Sequence, residues 1–260
     1  MRIAVCIKQV PDTTDVRIDP EKGTLIREGV PSIINPDDKH ALEEALSLRE
    51  IHGGEVIVIS MGPPQAEKAL RQALAMGVDR AILVTDRLFA GADTFATANA
   101  LAAILIKLGN IDLVLCGQQA IDGDTAQVGP QLAERLCFPQ VTYAVQIEIE
   151  NGKAVVKRNI DQGIEQIEAQ LPALVTATKQ LNQPRYPSVA NIVKLKGRRV
   201  DRFTAADLGL TSNQVGLAGS LTKVKKTFAP QLRGSIEMLH GSGPEVMESI
   251  MHRLQQRNII

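Results

Sequence analysis

Apolar residues recur along the chain in short, β-branched runs separated by segments of helical period. The runs are Ile3–Ile7, Glu55–Ser60, Ala81–Thr85 and Leu113–Cys116. Between the first two, residues 35–51 place Ala41, Leu42, Ala45, Leu46 and Leu48 on one helical face, and Asn35-Pro36 supplies an N-cap and a first-turn proline. Residues 65–76 and 94–108 carry the same period, the latter behind an Asp93-Thr94 cap. Strands alternating with helices predict an α/β fold with a doubly wound, mostly parallel sheet. Strands that are apolar at nearly every position fit a sheet covered on both faces.

The pattern changes after Pro139. Residues 141–150, 154–161, 165–169 and 173–178 read as strands, with Asn151-Gly152 as a two-residue hairpin turn between the first two. An antiparallel hairpin or meander is therefore expected at a sheet edge, followed by a return to the main sheet. From Leu181 the apolar pattern loosens. Pro184, Pro187 and Pro230 interrupt it and Gly197, Gly209, Gly216 and Gly219 punctuate it. We therefore divide the chain into a domain over 1–180 and a C-terminal arm over 181–260 that lacks a core of its own up to about residue 235. That arm either packs on its own domain or wraps a partner. Val246, Met247, Ile250, Met251 and Leu254 make residues 244–257 a short amphipathic helix.

Composition narrows the function classes. The 260 residues are 44% apolar with zero net charge and no Trp. No global field draws nucleic acid, and two Tyr leave little for base stacking. Cys6, Cys116 and Cys137 have no C-x-x-C spacing, and the first two lie inside apolar runs, so they read as buried, reduced thiols of a cytoplasmic protein. His40, His52, His240 and His252 have no metal-ligand spacing and read as solvated side chains. The first apolar run ends at Lys8 rather than at a signal-peptide cleavage site, and no run reaches the ~20 apolar residues of a membrane span.

The candidate chemistry lies in GQQAIDGDTAQVGP, Gly117 to Pro130, between a strand and a helix. Ligands of doubly wound sheets sit at the carboxyl ends of the strands, where this segment begins. Its glycines permit close backbone approach, and its amides with the following helix N-terminus suit an anion. Thr125 and Gln127 are side-chain donors. Asp122 and Asp124 would repel a phosphate directly, so they cap the helix or accept from ribose hydroxyls. With Asp124 as N-cap, Pro130 falls inside the helix; with Gly129 as N-cap, Pro130 takes the favoured first position and 123–128 is a free loop, which we prefer. The segment is neither G-x-G-x-x-G nor a P-loop. It reads as the site of a phosphate-bearing nucleotide, or else as a polar loop or capped turn of another kind. Two further loops leave strands at the same end, Ser60 to Pro64 and Thr85 to Thr94. Gly62 suits an adenine or ribose and Met61 a ring face or the core. Arg87 suits a pyrophosphate or bare solvent.

Several pieces resemble the β subunits of electron-transfer flavoproteins along nearly the whole chain: VCIKQVPDT with VRID, SIINPDDKHALEEAL, SMGPPQAEKALRQALAMGVDRAILV, GQQAIDGDTAQVGPQLAERL with FPQVTY, RNIDQGIEQIEAQLPALVT, and LNQPRYPSVANIVKLK. Gln162 departs from the acidic residue or glycine usual in the family. The resemblance implies a nucleotide-binding α/β domain in a heterodimer with an α subunit, whose C-terminal domain carries an electron-carrying FAD. In ordinary members the β subunit holds a structural AMP; in electron-bifurcating members it holds a second FAD. Where AMP-type members tend to read D-D-D-C-N-Q-T-G, this chain reads Asp122 to Gly129 as D-G-D-T-A-Q-V-G, similar to the bifurcating type, and Gly123 and Ala126 remove bulk where a pyrophosphate must pass. The implied cofactor contacts are Cys6, Asn35, Asp38, Met61, Gly62, Thr94, Gly117, Gln118, Gln119, Ala120, Asp122, Gly123, Asp124, Thr125, Ala126, Gln127 and Val128. The implied partner segment contains Arg185, Tyr186 and Val189, with Val189 plugging into an acyl-CoA dehydrogenase; the residues alone make Val189 core-facing. With FAD in the β site, the resemblance implies NADH nearby, hydride arrival, and single electrons leaving for the α-subunit FAD and for ferredoxin or flavodoxin. No protein group is then catalytic. A nucleotide-sensing binding module on a similar fold is the alternative of another class, and residues 181–260 argue against it. An SGGxDS-type pyrophosphate loop, which an adenylate-transferring enzyme would need after the first strand, is absent from residues 8–12.

Overall fold

The computed structural model describes residues 1–12, 31–225 and 238–260. The chain forms two units, Met1–Lys225 and Lys226–Ile260. In the first, β1 (Arg2–Cys6) is followed by a two-stranded antiparallel ribbon of β2 (Gln9–Pro11) and β3 (Ser32–Ile34). Then come α1 (Pro36–His52), β4 (Glu55–Met61), α2 (Glu67–Met76), β5 (Arg80–Val84), α3 (Thr94–Leu108), β6 (Leu113–Gly117) and α4 (Val128–Leu136). The meander is β7 (Gln140–Glu150), β8 (Lys153–Ile160) and β9 (Gly163–Gln170), and β10 (Ala173–Ala177) follows it. The unit ends with α5 (Val189–Lys194), β11 (Val200–Phe203) and α6 (Gly216–Gly219).

The main sheet has nine strands in the order β11-β5-β4-β1-β6-β10-β7-β8-β9. Every pairing from β11 to β7 is parallel, and only β7-β8-β9 is antiparallel. Alternate residues of each strand feed two cores. Ile3, Val5, Val56 and Val58 pack with α1 and α2 on one face; Ala4, Ile57, Ile59 and Val114 pack with α3 and α4 on the other. Leu42 and Leu46 of α1 are fully buried, each worth about 1.5–3 kcal/mol of transfer free energy. The expected alternation and edge meander are thus present. Asn151 (φ 49°) and Gly152 (φ 75°) are both left-handed at the β7–β8 turn, as a type I′ hairpin requires.

Residues 181–225 pack on their own domain. β11 extends the sheet in parallel beside β5, and Thr85 N–H donates to Phe203 O at 2.9 Å. VRID and Pro230 lie outside the described residues. In the second unit, α7 (Gly243–Gln256) begins with a Ser242/Glu245 capping box, Pro244 lies in its first turn, and Met247, Ile250 and Met251 are exposed. Among the described residues no helix is long and apolar enough to cross a membrane.

Candidate functional site at the switch point of the sheet

After β1 the chain builds outward through β4 and β5 on one side, then crosses to β6 on the other. The strand order therefore reverses between β1 and β6, and the crevice at their carboxyl ends is where this class of sheet takes ligands. Cys6 and Cys116 end the shared ladder directly opposite each other. Both are buried, and the hydrogen bond that the Cys116 thiol gives to Cys6, burial and the neighbouring charges of Cys6 and Asp38 push that thiol well above its ordinary value. These thiols lie at the carboxyl ends of the two strands.

The first turn of α1 holds the crevice together. Asp38 Oδ2 accepts the Lys8 N–H at 2.7 Å and Asp38 Oδ1 the Gly117 N–H at 3.1 Å. Burial raises this carboxyl to about 7, against the lowering effect of those donors and of Asn35. Asn35 is fully buried and occupies the N-cap position, yet its side chain caps nothing. Instead Asn35 Nδ2 donates to Gln119 O at 2.8 Å, and Asn35 Oδ1 accepts the Ile121 N–H at 3.0 Å. Burial likewise raises the Asp37 carboxyl beside them, against a hydrogen bond from the Gln119 backbone.

The loop then folds on itself. Gln118 N–H donates to Ala177 O at 2.8 Å, and Ala120 O accepts from Gly123 and Asp124. Asp122 takes the Lys8 ammonium at 2.6 Å, and Asp124 takes Gln119 Nε2. Both carboxylates are therefore matched within the protein rather than turned bare toward an anion. Lys8 carries no motif of its own. Its position directly after β1, at the carboxyl end of a central strand, is the signal that marks it for the site. Thr94 Oγ1 donates to Gln127 Oε1 at 3.1 Å, which ties the loop to the start of α3. Asp93 caps that helix as expected, accepting the Ala96 N–H at 2.9 Å.

α4 begins at Val128 with Gln127 as N-cap, so neither Asp124 nor Gly129 has that place. Pro130 falls in the first turn, where its missing N–H costs no helical bond. The amides of Thr125, Ala126, Gln127, Val128 and Gly129 have no hydrogen-bond acceptor among the described residues. Asp124 (φ 51°) and Ala126 (φ 53°) are left-handed, a conformation that costs an L-residue roughly 1–2 kcal/mol. A Cβ at Gly123 would meet no atom of the described residues within 4 Å. Free amides, open space at Gly123 and internally matched carboxylates fit a phosphate-bearing group. Met61 and Gly62 lie at the end of β4, one strand from β1, with Gly62 N–H bonded to Val84 O at 3.0 Å. Arg87 is exposed on a short 3-10 turn after β5.

The second predicted cluster lies elsewhere on α1. Arg185 is ion-paired with Glu43 at 2.8 Å and with Glu50, so its guanidinium is engaged within the chain and held well above its ordinary range. Asn182 O and Oδ1 meet His40 Nδ1, which takes this histidine out of the solvated class. Tyr186 and Val189 are 92% and 78% exposed, so Val189 does not face the core as its residue type alone predicts. It opens the short helix α5, after Pro187 and the Ser188 cap.

A doubly wound α/β domain with a polar switch-point crevice is the class that this geometry defines. The Electron transfer flavoprotein domain family matches residues 22–208. The chain is 56% identical, over the full length of both, to "Electron transfer flavoprotein subunit beta" of Thermoanaerobacterium thermosaccharolyticum. It is 52% identical to "Caffeyl-CoA reductase-Etf complex subunit CarD" of Acetobacterium woodii and 42% identical to "Acryloyl-CoA reductase electron transfer subunit gamma" of Anaerotignum propionicum, again over all of both chains. The chain belongs to the electron transfer flavoprotein family, as one of its β subunits.

Proposed function

We propose that the chain pairs with an electron-transfer flavoprotein α subunit and binds FAD in the β1/β6 crevice, as an electron-bifurcating β subunit. The observation that carries this reading is the run of five amides from Thr125 to Gly129 that have no acceptor among the described residues, beside the open flank of Gly123. Those amides and the α4 N-terminus would receive a pyrophosphate. Met61 and Gly62 would lie along the adenosine, and Asp122 or Asp124 would accept from ribose hydroxyls. The redox chemistry is the flavin's, exchanging hydride equivalents from NADH for single electrons; the protein binds, orients and shields it. With FAD bound, one electron route would run to the α-subunit FAD and a dehydrogenase, the other to ferredoxin or flavodoxin. The relatives named for caffeyl-CoA and acryloyl-CoA reductases support an acyl-CoA dehydrogenase-like partner, met by the exposed Tyr186 and Val189, with Arg185 holding that segment.

The test is the nucleotide content of the chain purified with its α subunit. Two FAD and no AMP per heterodimer, with reduction by NADH, is the expected result. One FAD with one AMP makes the site a structural AMP site and the β subunit a scaffold. No adenine nucleotide in the β subunit overturns the assignment of the crevice.

A further inference from the structure

Asp38 is a buried carboxylate, and each of its oxygens accepts a backbone amide. One oxygen takes the amide of Lys8, just past the end of β1, and the other takes the amide of Gly117, the last residue of β6. These strands are paired only as far as Cys6 and Cys116. The carboxylate thus bridges the two strand ends at the point where they part. Gly117 is shaped to it, because a Cβ there would fall 2.3 Å from Asp38 Oδ1. Three residues earlier on the same turn, Asn35 holds Gln119 and Ile121. The turn so fixes residues 117–121, the stem of the loop that leads to the amides of 125–129.

We propose that Asp38 is a positioning residue for the nucleotide: its carboxylate sets the splay of β1 and β6, and through it the closure of residues 117–128 over the phosphate. The proposal rests on reading the crevice as a nucleotide site. A neutral side chain keeps one acceptor at most for the two amides, so the grip depends on the charge of Asp38. The groups that face it are the Lys8 and Gly117 amides, the Asn35 side chain, the Asp37 carboxylate and the Cys116 thiol. The Lys8 ammonium is taken by Asp122. Since Asp38 titrates at about 7, the wild-type grip is full above that pH and is lost as pH falls through it.

The experiment measures dissociation constants of the β site, in the heterodimer, for the nucleotide that co-purifies, comparing wild type with Asp38→Asn from about pH 5.5 to 8.5. Titration of the ligand cancels in the ratio of the two. We expect Asp38→Asn to bind roughly tenfold more weakly at the alkaline end, with the ratio approaching about one at the acid end, where wild-type Asp38 is also neutral. A ratio of one throughout, or one independent of pH, overturns the proposal while leaving the nucleotide site standing. Absence of any nucleotide in wild type overturns both. A variant that does not fold leaves a second reading on the wild type alone: exchange of the Gly117 amide, relative to its free-peptide rate, accelerates as pH falls through about 7. Protection that is flat with pH overturns the proposal.

Discussion

A Cβ added at Gly117 would fall 2.3 Å from Asp38 Oδ1 and 2.7 Å from the Asp38 amide, whereas one added at Gly123 would meet nothing within 4 Å. The two glycines are thus glycines for opposite reasons, one for the fold and one for a ligand. Gly117→Ala forces apart groups that are fixed by β6 and α1, so it should destabilise the chain by about 1–3 kcal/mol, read as a lowered denaturant midpoint. Gly123 has no positive φ to preserve, and Gly123→Ala should leave the nucleotide-free midpoint within about 0.5 kcal/mol. The same substitution should weaken the retained nucleotide by tenfold or more, in the range of about 1–3 kcal/mol for overpacking a tight contact. Unchanged retention would place the ligand off Gly123. The family resemblance singles out Gly123, while the sequence reads Gly117 only as one of several glycines that permit close approach to a ligand. The contact that demands a glycine at 117 lies 79 residues away in Asp38.

At the scale of elements, α1 is a mount with two ends. Its first turn holds the crevice loop, and Glu43, Glu44 and Glu50 hold residues 182–185. Arg185 grips Glu43 through both Nε and Nη2, a geometry that Lys cannot reproduce. With the Arg185 side chain 33% exposed, screening limits the stability loss in Arg185→Lys to about 1 kcal/mol. Its larger effect should fall on docking: KM for the dehydrogenase partner rises several-fold while kcat is kept. An equal fall in kcat would tell against a docking role. β1, β4, β5 and β6 are legible as continuous apolar runs, and α1 to α3 because each carries several helical periods. β11 is not, since Val200–Phe203 is four residues with two charged side chains and joins the sheet at an edge. β2 and β3, at three residues each, are too short for any period to show. The start of α4 was misplaced because Pro130 was assigned to the first position, while the first turn tolerates it at the third.

For the whole molecule, burial raises the carboxyls of Asp37, Asp38 and Glu44. In contrast, Arg185 and Arg202 hold Glu50 and Glu67 below their ordinary values through hydrogen bonds. The two sets act in different windows. A raised carboxyl binds its proton more tightly in the folded chain. Its contribution to stability is therefore complete below 3.8, the unfolded value for Asp38, and is lost progressively until pH passes about 7. Across that span Asp38 alone lowers stability as pH rises. The lowered carboxyls contribute above about 4.5 and lose that contribution only at lower pH. Urea midpoints of the nucleotide-free chain should hence fall from about pH 5 to pH 8, with a slope that Asp38→Asn largely removes. Nucleotide should reverse this trend. Its stabilisation grows with its affinity, and the affinity is greatest where Asp38 is charged. The nucleotide-induced rise in midpoint should then increase from pH 5 to pH 8 in wild type and stay constant in Asp38→Asn. A buried charge that costs the empty fold stability would thereby be retained for what it holds in place, and a nucleotide-induced shift that is independent of pH in wild type would contradict that account.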